Sequence, residues 1–166
     1  KSNIKIPLIN LKTHHQLIKD EMLSSFKKVV DSSQFILGDE VSLFEKEFAK
    51  YCQGKYAVGV DSGLSALELG MRALGIGEGD EVLTPANSFI ASSSAISFTG
   101  AKPVLVDCRE DTYSIDIKDA QKKITKKTCA IMPVHLYGQP ADMDEVIKFA
   151  AKYKLYIIED ACQAHG

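Results

Sequence analysis

The stretch DEVLTPANSFIASSSAISFTGAKPVLVD, residues 80–107, decides the fold because it contains one complete strand, helix and strand unit. A short apolar run is followed by a turn, a helical pattern and a second apolar run. We predict strands over residues 81–84 and 103–106, joined by a helix over residues 88–98. Two strands joined in this way run parallel, with a right-handed crossover. The unit therefore predicts a parallel sheet.

The same alternation continues on both sides of this unit. We predict further strands over residues 56–60, 129–134 and 155–158, and helices over residues 64–74, 117–124 and 142–153. The runs CAIMPV and LYII are typical of strands buried on both faces. The glycine cluster GIGEGD, residues 75–80, follows a helix and precedes a strand, so it indicates a helix stop and a connecting loop rather than a dinucleotide fingerprint. The predicted fold class is α/β, a mainly parallel sheet with helices on both faces.

Two helices are expected before the sheet begins. Apolar residues recur every three or four positions over residues 11–30, and Ser32 and Ser33 end this pattern. A shorter apolar stripe predicts a second helix over residues 41–51, entered through Gly38 and Asp39. We expect residues 1–53 to form an N-terminal helical arm and residues 54–166 to form the α/β domain.

Composition excludes several classes of protein. The 166 residues are 45% apolar and 25% charged, as in a globular domain, and the net charge of −2 lacks the basic excess of a nucleic-acid-binding protein. No apolar run reaches the roughly 20 residues of a membrane span, and no signal peptide is evident, so we expect a cytoplasmic protein. The four cysteines lack metal-site spacing and are expected to be reduced, mostly buried thiols, with no metal bound.

Ligands of parallel α/β sheets bind beyond the carboxyl ends of the strands, so the residues at those ends are the candidates for chemistry. In VDSGLSAL, residues 60–67, a strand leads into a helix, and the N–H groups of Gly63, Leu64 and Ser65 can point at an anion. From this turn alone, an ordinary helix capped by Ser62 or Asp61 is the favoured interpretation.

A second group of candidates follows other strand ends. Either Glu159 or Asp160 can accept a hydrogen bond from a protonated ring nitrogen, although capping of the next helix explains these carboxylates equally well. Gln163 can face the same ligand, and Phe89 offers a flat face for an aromatic cofactor, although a lone Phe is more often a core residue. His135 and His165 are weaker candidates for ligand contacts.

Seven segments in one order resemble the DegT/DnrJ/EryC1/StrS family of sugar aminotransferases, which use pyridoxal 5′-phosphate (PLP). The segments are IPLINL (6–11), FILGDEVSLFEKEFAKY (35–51), SGLSALEL (62–69), GIGEGDEVLTPANSFIAS (75–92), GAKPVLVD (100–107), VHLYGQPADMD (134–144) and IEDACQAHG (158–166). The last two are the most specific. The resemblance implies the fold of type I PLP enzymes and a homodimer with each active site at the subunit interface.

The resemblance also implies roles for individual residues. Gly63 and Leu64 would bind the phosphate of PLP, Phe89 would stack on the ring, Asp160 would contact the pyridine nitrogen, and Gln163 would lie beside the phenolic oxygen. Many family members have Thr where this chain has Leu64, which removes a hydroxyl contact to the phosphate. Some members that act on 3-keto sugars share the Gly-Leu pair.

In the family, the Schiff-base lysine lies beyond the position that corresponds to Gly166. We therefore expect the chain to be the N-terminal part of a longer enzyme, with the rest of the PLP domain and a small C-terminal domain outside it. The implied activity is transfer of an amino group from glutamate or glutamine to a keto group of a nucleotide-linked hexose. The alternatives left open are a PLP-dependent nucleotide-sugar dehydratase of the same family and a non-catalytic ligand-binding fragment.

Overall fold

The computed structural model describes Pro7 and residues 10–165. The chain divides into two compact units, the first ending at Gly59 and the second beginning at Val60.

The first unit contains two helices, α1 (Leu11–Ser32) and α2 (Asp39–Tyr51). The side chain of Asn10 accepts a hydrogen bond from the Thr13 N–H and caps α1. The residue that follows the helix, Ser33, is in the left-handed conformation, with a φ of 56°. Gly38 precedes α2, and acidic residues in its first turn complement the helix dipole. The sequence predicted both helices, with bounds that differ by two residues at one end of each.

The strand predicted over residues 56–60 is wrong. These residues form no strand, and the side chains of Tyr56 and Val58 are each 78% exposed. The N–H of Gly59 instead donates to Oε1 of Glu45 on α2, at 2.7 Å. The short apolar run YAVGV is compatible with a strand, but a strand also needs a neighbour to pair with, and this segment has none among the described residues.

The second unit is built on a parallel sheet. Within the described chain it has four strands, β1 (Glu81–Pro85), β2 (Lys102–Val106), β3 (Thr128–Ile131) and β4 (Tyr156–Ile157), in the spatial order β2-β1-β3-β4. Every pairing is parallel. The sequence predicted all four strands, although β3 and β4 are shorter than expected.

Helices cover both faces of this sheet, as the sequence predicted. They are α3 (Gly63–Ala73), α4 (Ile90–Phe98), α5 (Ile117–Lys123) and α6 (Met143–Tyr153). Val82 of β1 packs in one core cluster with residues of α3 and α4, whereas its neighbour Leu83 packs in a second cluster with residues of α5 and α6. Successive side chains of a strand point to opposite faces, so one strand contributes to both cores.

The loop between α3 and β1 is the helix stop that the glycine cluster predicted. Gly75 and Gly79 have φ values of 77° and 92°, a region that glycine adopts without strain. Asp80 accepts the Gly77 N–H through Oδ2 and closes the loop at 3.0 Å. This loop lies at the end of the sheet where the strands begin, away from the strand ends that carry the candidate residues.

The cysteines differ from expectation. All four are free thiols, but Cys52 and Cys162 are exposed and Cys108 and Cys129 are only partly buried, so the expectation that most would be buried is wrong. These residues lie in loops, at helix ends or on a partly covered strand. Among the described residues, no helix is both long and apolar enough to cross a bilayer.

Candidate functional site

A cavity of about 390 Å³ opens in the second unit, where the strands of the sheet end. All five residues assigned to a cofactor by resemblance line it: Gly63, Leu64, Phe89, Asp160 and Gln163. The other lining residues are Ser62, Leu67, Ser88, Ala91, Val134, His135, Leu136 and Cys162. The structure therefore brings together residues from distant parts of the chain, from Ser62 to Gln163.

The N-terminus of α3 presents two backbone donors to this cavity. Ser62 caps the helix, and its Oγ accepts a hydrogen bond from the Ser65 N–H at 3.2 Å. The first intrahelical bond runs from the Ala66 N–H to the Ser62 carbonyl. The N–H groups of Gly63 and Leu64 thus have no acceptor in the helix and remain available to an anion. The expectation that Ser65 would also offer its N–H is wrong, because the cap uses it.

Gly63 is packed closely against the opposite wall of the cavity. A Cβ atom placed on Gly63 would lie 2.8 Å from Sγ of Cys162, so no other residue fits unless Cys162 moves. Because Gly63 has no side chain, no atoms of its own side chain cover its peptide N–H.

Asp160 is a buried carboxylate that has no cationic partner within the described part of the chain. Its exposure is 8%, and its Oδ2 accepts a hydrogen bond from Oγ of Ser92 at 2.7 Å. Oδ1 receives the Cys162 N–H at a longer 3.4 Å. Among the described residues, no Lys, Arg or His forms an ion pair with Asp160. A carboxylate buried in this way is suited to a cationic ligand.

Glu159 has different surroundings from its neighbour. Its Oε2 lies 2.9 Å from Nε2 of His135, and Nδ1 of His135 accepts the Ala141 N–H at 3.1 Å. Because Nδ1 is an acceptor, the proton of the neutral ring sits on Nε2 and is donated to Glu159. Both ring nitrogens of His135 are therefore occupied within the protein, although the residue lines the cavity. His165 is exposed and does not line it.

The backbone at the ends of β3 and β4 positions Asp160. An isolated parallel bridge pairs Val134 with Asp160. The Asp160 N–H donates to the Pro133 carbonyl at 2.9 Å, and the His135 N–H donates to the Asp160 carbonyl at 3.0 Å. The pairing of the two strands thus continues to Asp160, beyond the regular part of the ladder.

Phe89 lies outside α4 rather than within it. The predicted helix began at residue 88, but α4 begins at Ile90, and Phe89 is its extended N-cap residue, with a φ of −64° and a ψ of 150°. Its side chain is 76% exposed, so it is not a core residue. The aromatic ring is available to cover a flat ligand in the cavity.

Gln163 is oriented by the loop that follows β3. Its Oε1 accepts the Tyr137 N–H at 2.7 Å, so its amide nitrogen is the group left to donate to a ligand. Tyr137 has a φ of 59°, in the left-handed region that residues other than glycine seldom adopt. This turn therefore fixes which end of the Gln163 amide is free.

The sequence interpretation assigned no role to Ser88, Ser92 or Cys162. Desolvation of the sulfur by the neighbouring protein atoms, followed by a hydrogen bond to Asp160, raises the pKa of the Cys162 thiol to about 11, so it stays protonated at neutral pH and is a poor nucleophile. The two serines lie four residues apart, with Oγ atoms at 2.6 Å. Their spacing of four residues at the start of a predicted helix was the sequence signal that could have placed the two serine side chains next to each other.

The chemistry of the cavity fits a phosphorylated aromatic cation. Two N–H donors suit a phosphate, an exposed aromatic face suits a planar ring, and a buried carboxylate suits a protonated ring nitrogen. A covered parallel sheet with this combination at its strand ends has the fold of type I PLP-dependent aminotransferases. The chain belongs to the DegT/DnrJ/EryC1/StrS aminotransferase family, whose model matches residues 16–166.

Two relatives are similar to the chain over nearly its whole length. It is 47% identical to dTDP-3-amino-3,4,6-trideoxy-alpha-D-glucose transaminase of Streptomyces venezuelae, covering 98% of this chain and 43% of that protein. It is 48% identical to dTDP-3-amino-3,6-dideoxy-alpha-D-galactopyranose transaminase of Aneurinibacillus thermoaerophilus, covering 97% of this chain and 44% of that protein. The chain thus spans less than half the length of these relatives.

A solved structure agrees with this relationship. The crystal structure of S. venezuelae DesV in complex with a ketimine intermediate superposes with a TM-score of 0.94 at 47% identity. The similarity covers 98% of this chain and 44% of that one.

Proposed function

We propose that the complete protein is a PLP-dependent aminotransferase that transfers an amino group from glutamate or glutamine to a keto group of a nucleotide-linked hexose. One observation carries the proposal. Asp160 is buried without a cationic partner in the described chain, in the same cavity as the two available N–H donors of α3. Family membership supports the reaction class.

Gly63 and Leu64 would hold the phosphate of PLP. Their N–H groups lie at the positive end of the α3 dipole, where an anion is stabilised. Leu64 has no hydroxyl, so in this part of the site the phosphate would be bound by backbone donors.

Asp160 would accept a hydrogen bond from the pyridine N–H and hold that nitrogen protonated, because its negative charge favours the cationic form. PLP supplies an electron sink when it is bound. Phe89 would cover one face of the ring and exclude water from it. The free amide N–H of Gln163 would donate to the phenolic oxygen, since Oε1 already accepts from Tyr137.

The sugar substrate is proposed to carry its keto group at position 3. Two relatives that match nearly the whole chain are named as transaminases of 3-amino sugars. The Gly63-Leu64 pair supports the same position, because it resembles that of family members that act on 3-keto sugars. This assignment distinguishes the proposal from amination at position 4.

The proposal includes an assembly. Residues 1–53 would serve as an arm and residues 54–166 as the first part of the PLP domain, in a cytoplasmic homodimer. The rest of the domain, including the Schiff-base lysine, would be supplied by sequence that follows Gly166.

A panel assay tests this function on the product of the complete gene. Nucleotide-linked 3-keto and 4-keto hexoses would be incubated with glutamate or glutamine, and the sugar products would be identified by mass spectrometry. We expect an amino sugar from the 3-keto substrate. A product that has lost oxygen without gaining nitrogen would favour the dehydratase, and PLP binding without turnover would favour a ligand-binding protein.

A pair of neighbouring variants tests the site. Asp160→Asn should lower kcat roughly 100-fold or more, the scale of loss when a preorganised electrostatic partner is removed. Glu159→Gln is the matched control and should stay within a few-fold of wild type, because Glu159 faces His135. Equal losses in the two variants would overturn the assignment of Asp160.

A further inference from the structure

We propose that Ser92 is a positioning residue that sets the orientation of the Asp160 carboxylate, and that Ser88 supports Ser92 through a second hydrogen bond. The inference rests on the proposed function, since it concerns how Asp160 is presented to the ring nitrogen of PLP. It adds two residues outside those that the resemblance implies.

The direction of both hydrogen bonds follows from the chemistry of the groups. A carboxylate only accepts, so the single hydroxyl proton of Ser92 is donated to Oδ2 of Asp160, at 2.7 Å. The 2.6 Å contact between the two serines must then use the Ser88 proton, with Ser92 as acceptor. The resulting chain runs from Ser88 through Ser92 to Asp160.

Burial makes this chain difficult to replace by water. Ser92 is 1% exposed and Asp160 is 8% exposed. Removal of a buried hydroxyl donor leaves its acceptor unsatisfied, which costs more than the same change at the surface. Ser88 lines the cavity, so the chain begins at the cavity wall and ends on the carboxylate.

Other serines of α4 behave differently. The Ser93 hydroxyl donates to the Ile90 carbonyl, and the Ser97 hydroxyl donates to the Ser93 carbonyl, each at 3.1 Å. Such local bonds are the usual choice of serine inside a helix. Ser92 instead reaches a residue 68 positions away in the chain, at the end of β4. Its hydroxyl therefore connects α4 to the carboxylate.

The two oxygens of the Asp160 carboxylate therefore have different roles. Oδ2 is occupied by Ser92 at 2.7 Å, whereas Oδ1 receives the longer bond from the Cys162 N–H at 3.4 Å. The Cys162 thiol is a further, weak donor to the same carboxylate. The carboxylate is held in one rotation, and Oδ1 keeps acceptor capacity for a ligand. Without Ser92, the carboxylate could rotate away from the ring nitrogen.

The test compares two ligands that differ only at that nitrogen. Pyridoxamine 5′-phosphate and its 1-deaza analogue, which has CH in place of the ring nitrogen, would be titrated calorimetrically into the apo form of the complete gene product. Wild type should prefer the nitrogen-containing ligand. Ser92→Ala should lower that preference roughly tenfold, as expected for the loss of a hydrogen bond to a charged group.

Three other variants make the comparison specific. Ser93→Ala is the matched control and should retain the wild-type preference, since it loses only a bond to the helix backbone. Ser92→Thr keeps the hydroxyl and should restore the preference. Ser88 lies before α4, and Ser88→Ala should lower the preference less than Ser92→Ala does. The Ser88 variant provides a second test if Ser92→Ala folds poorly.

The outcomes separate this inference from the proposed function. A wild-type protein that binds both ligands equally would overturn the role of Asp160 and, with it, this inference. A wild-type preference that persists in Ser92→Ala and Ser88→Ala would overturn this inference alone. An equal loss of affinity for both ligands in Ser92→Ala would indicate a merely structural serine and would also overturn it.

Discussion

Thr84 is a buried residue whose hydroxyl has no hydrogen-bond partner among the described residues. It lies in β1 with 1% exposure, and its Oγ1 is unsatisfied. Valine has the same shape without the hydroxyl, so Thr84→Val should raise the free energy of unfolding by about 1 kcal/mol. Urea denaturation of the complete gene product, followed by fluorescence and circular dichroism, measures this change.

Thr99 provides the matched control for that prediction. It is also buried, but its Oγ1 donates to the Ile96 carbonyl at 2.8 Å and accepts the Ala101 N–H at 3.3 Å. Thr99→Val should therefore lower the free energy of unfolding by about 1 kcal/mol or more. A decrease in both variants would show that Thr84 has a polar partner in solution.

At the residue scale, the sequence identified side chains that local rules place at strand ends. Gly63, Phe89, Asp160 and Gln163 follow apolar runs, and all of them line the cavity. Residue patterns alone left either Glu159 or Asp160 as the ligand contact, because the choice depends on how the end of β4 pairs with residue 134; the family resemblance selected Asp160. The Ser92 hydroxyl bond to Asp160 is a tertiary contact that no local pattern reveals.

At the element scale, Glu81 ties together three segments at the start of the sheet. Its Oε2 accepts a hydrogen bond from the Thr125 hydroxyl at 2.6 Å, ahead of β3, and its Oε1 accepts one from Lys102 of β2 at 3.2 Å. The Thr125 bond, and to a smaller extent Lys102, holds the pKa of the Glu81 carboxyl below its ordinary value of 4.5. The ionised carboxylate therefore stabilises the folded sheet.

The pH dependence of this stabilisation has a defined sign. Because the folded-state pKa is lowered, the contribution is fully present above pH 4.5 and is lost as the pH falls through the folded-state value. Glu81→Gln should thus lower the urea midpoint at pH 7 and converge on wild type in acid. Glu110→Gln, an exposed control, should leave the midpoint nearly unchanged at both pH values. A constant difference between Glu81→Gln and wild type would contradict the assignment.

Element prediction succeeded where the pattern itself determines the structure. The helices α3, α5 and α6 begin at local caps, Ser62, Asp116 and Asp142, whose side chains accept N–H groups of the first turn. Residues 56–60, YAVGV, also form a short apolar run, but strand formation depends on a pairing partner, which no local pattern specifies. The expected strand does not form, and the Gly59 N–H bonds to Glu45 on α2 instead of to a neighbouring strand.

At the scale of the whole molecule, the arm carries an unsatisfied apolar surface. None of the 22 residues of α1 is buried, and Met22 and Phe26, one turn apart, are 51% and 66% exposed. A helix stripe of this kind is stabilised by burial against another surface. The sequence predicted the stripe from its spacing. It could not identify what covers the stripe, because that depends on an assembly rather than on local pattern.

Self-association of the 166-residue chain is the expected consequence of this surface. Phe26→Glu places a charge in the stripe, so it should weaken association roughly tenfold or more, since an unpaired charge is costly to bury. Ser24 lies two positions away, on the opposite side of the helix, and Ser24→Glu adds the same charge there.

Light scattering coupled to size-exclusion chromatography, over a range of protein concentrations, measures the mass of each variant. We expect wild type and Ser24→Glu to associate alike and Phe26→Glu to shift toward the monomer. A monomeric wild type at all concentrations, or equal shifts in the two glutamate variants, would show that the α1 stripe is not an association surface.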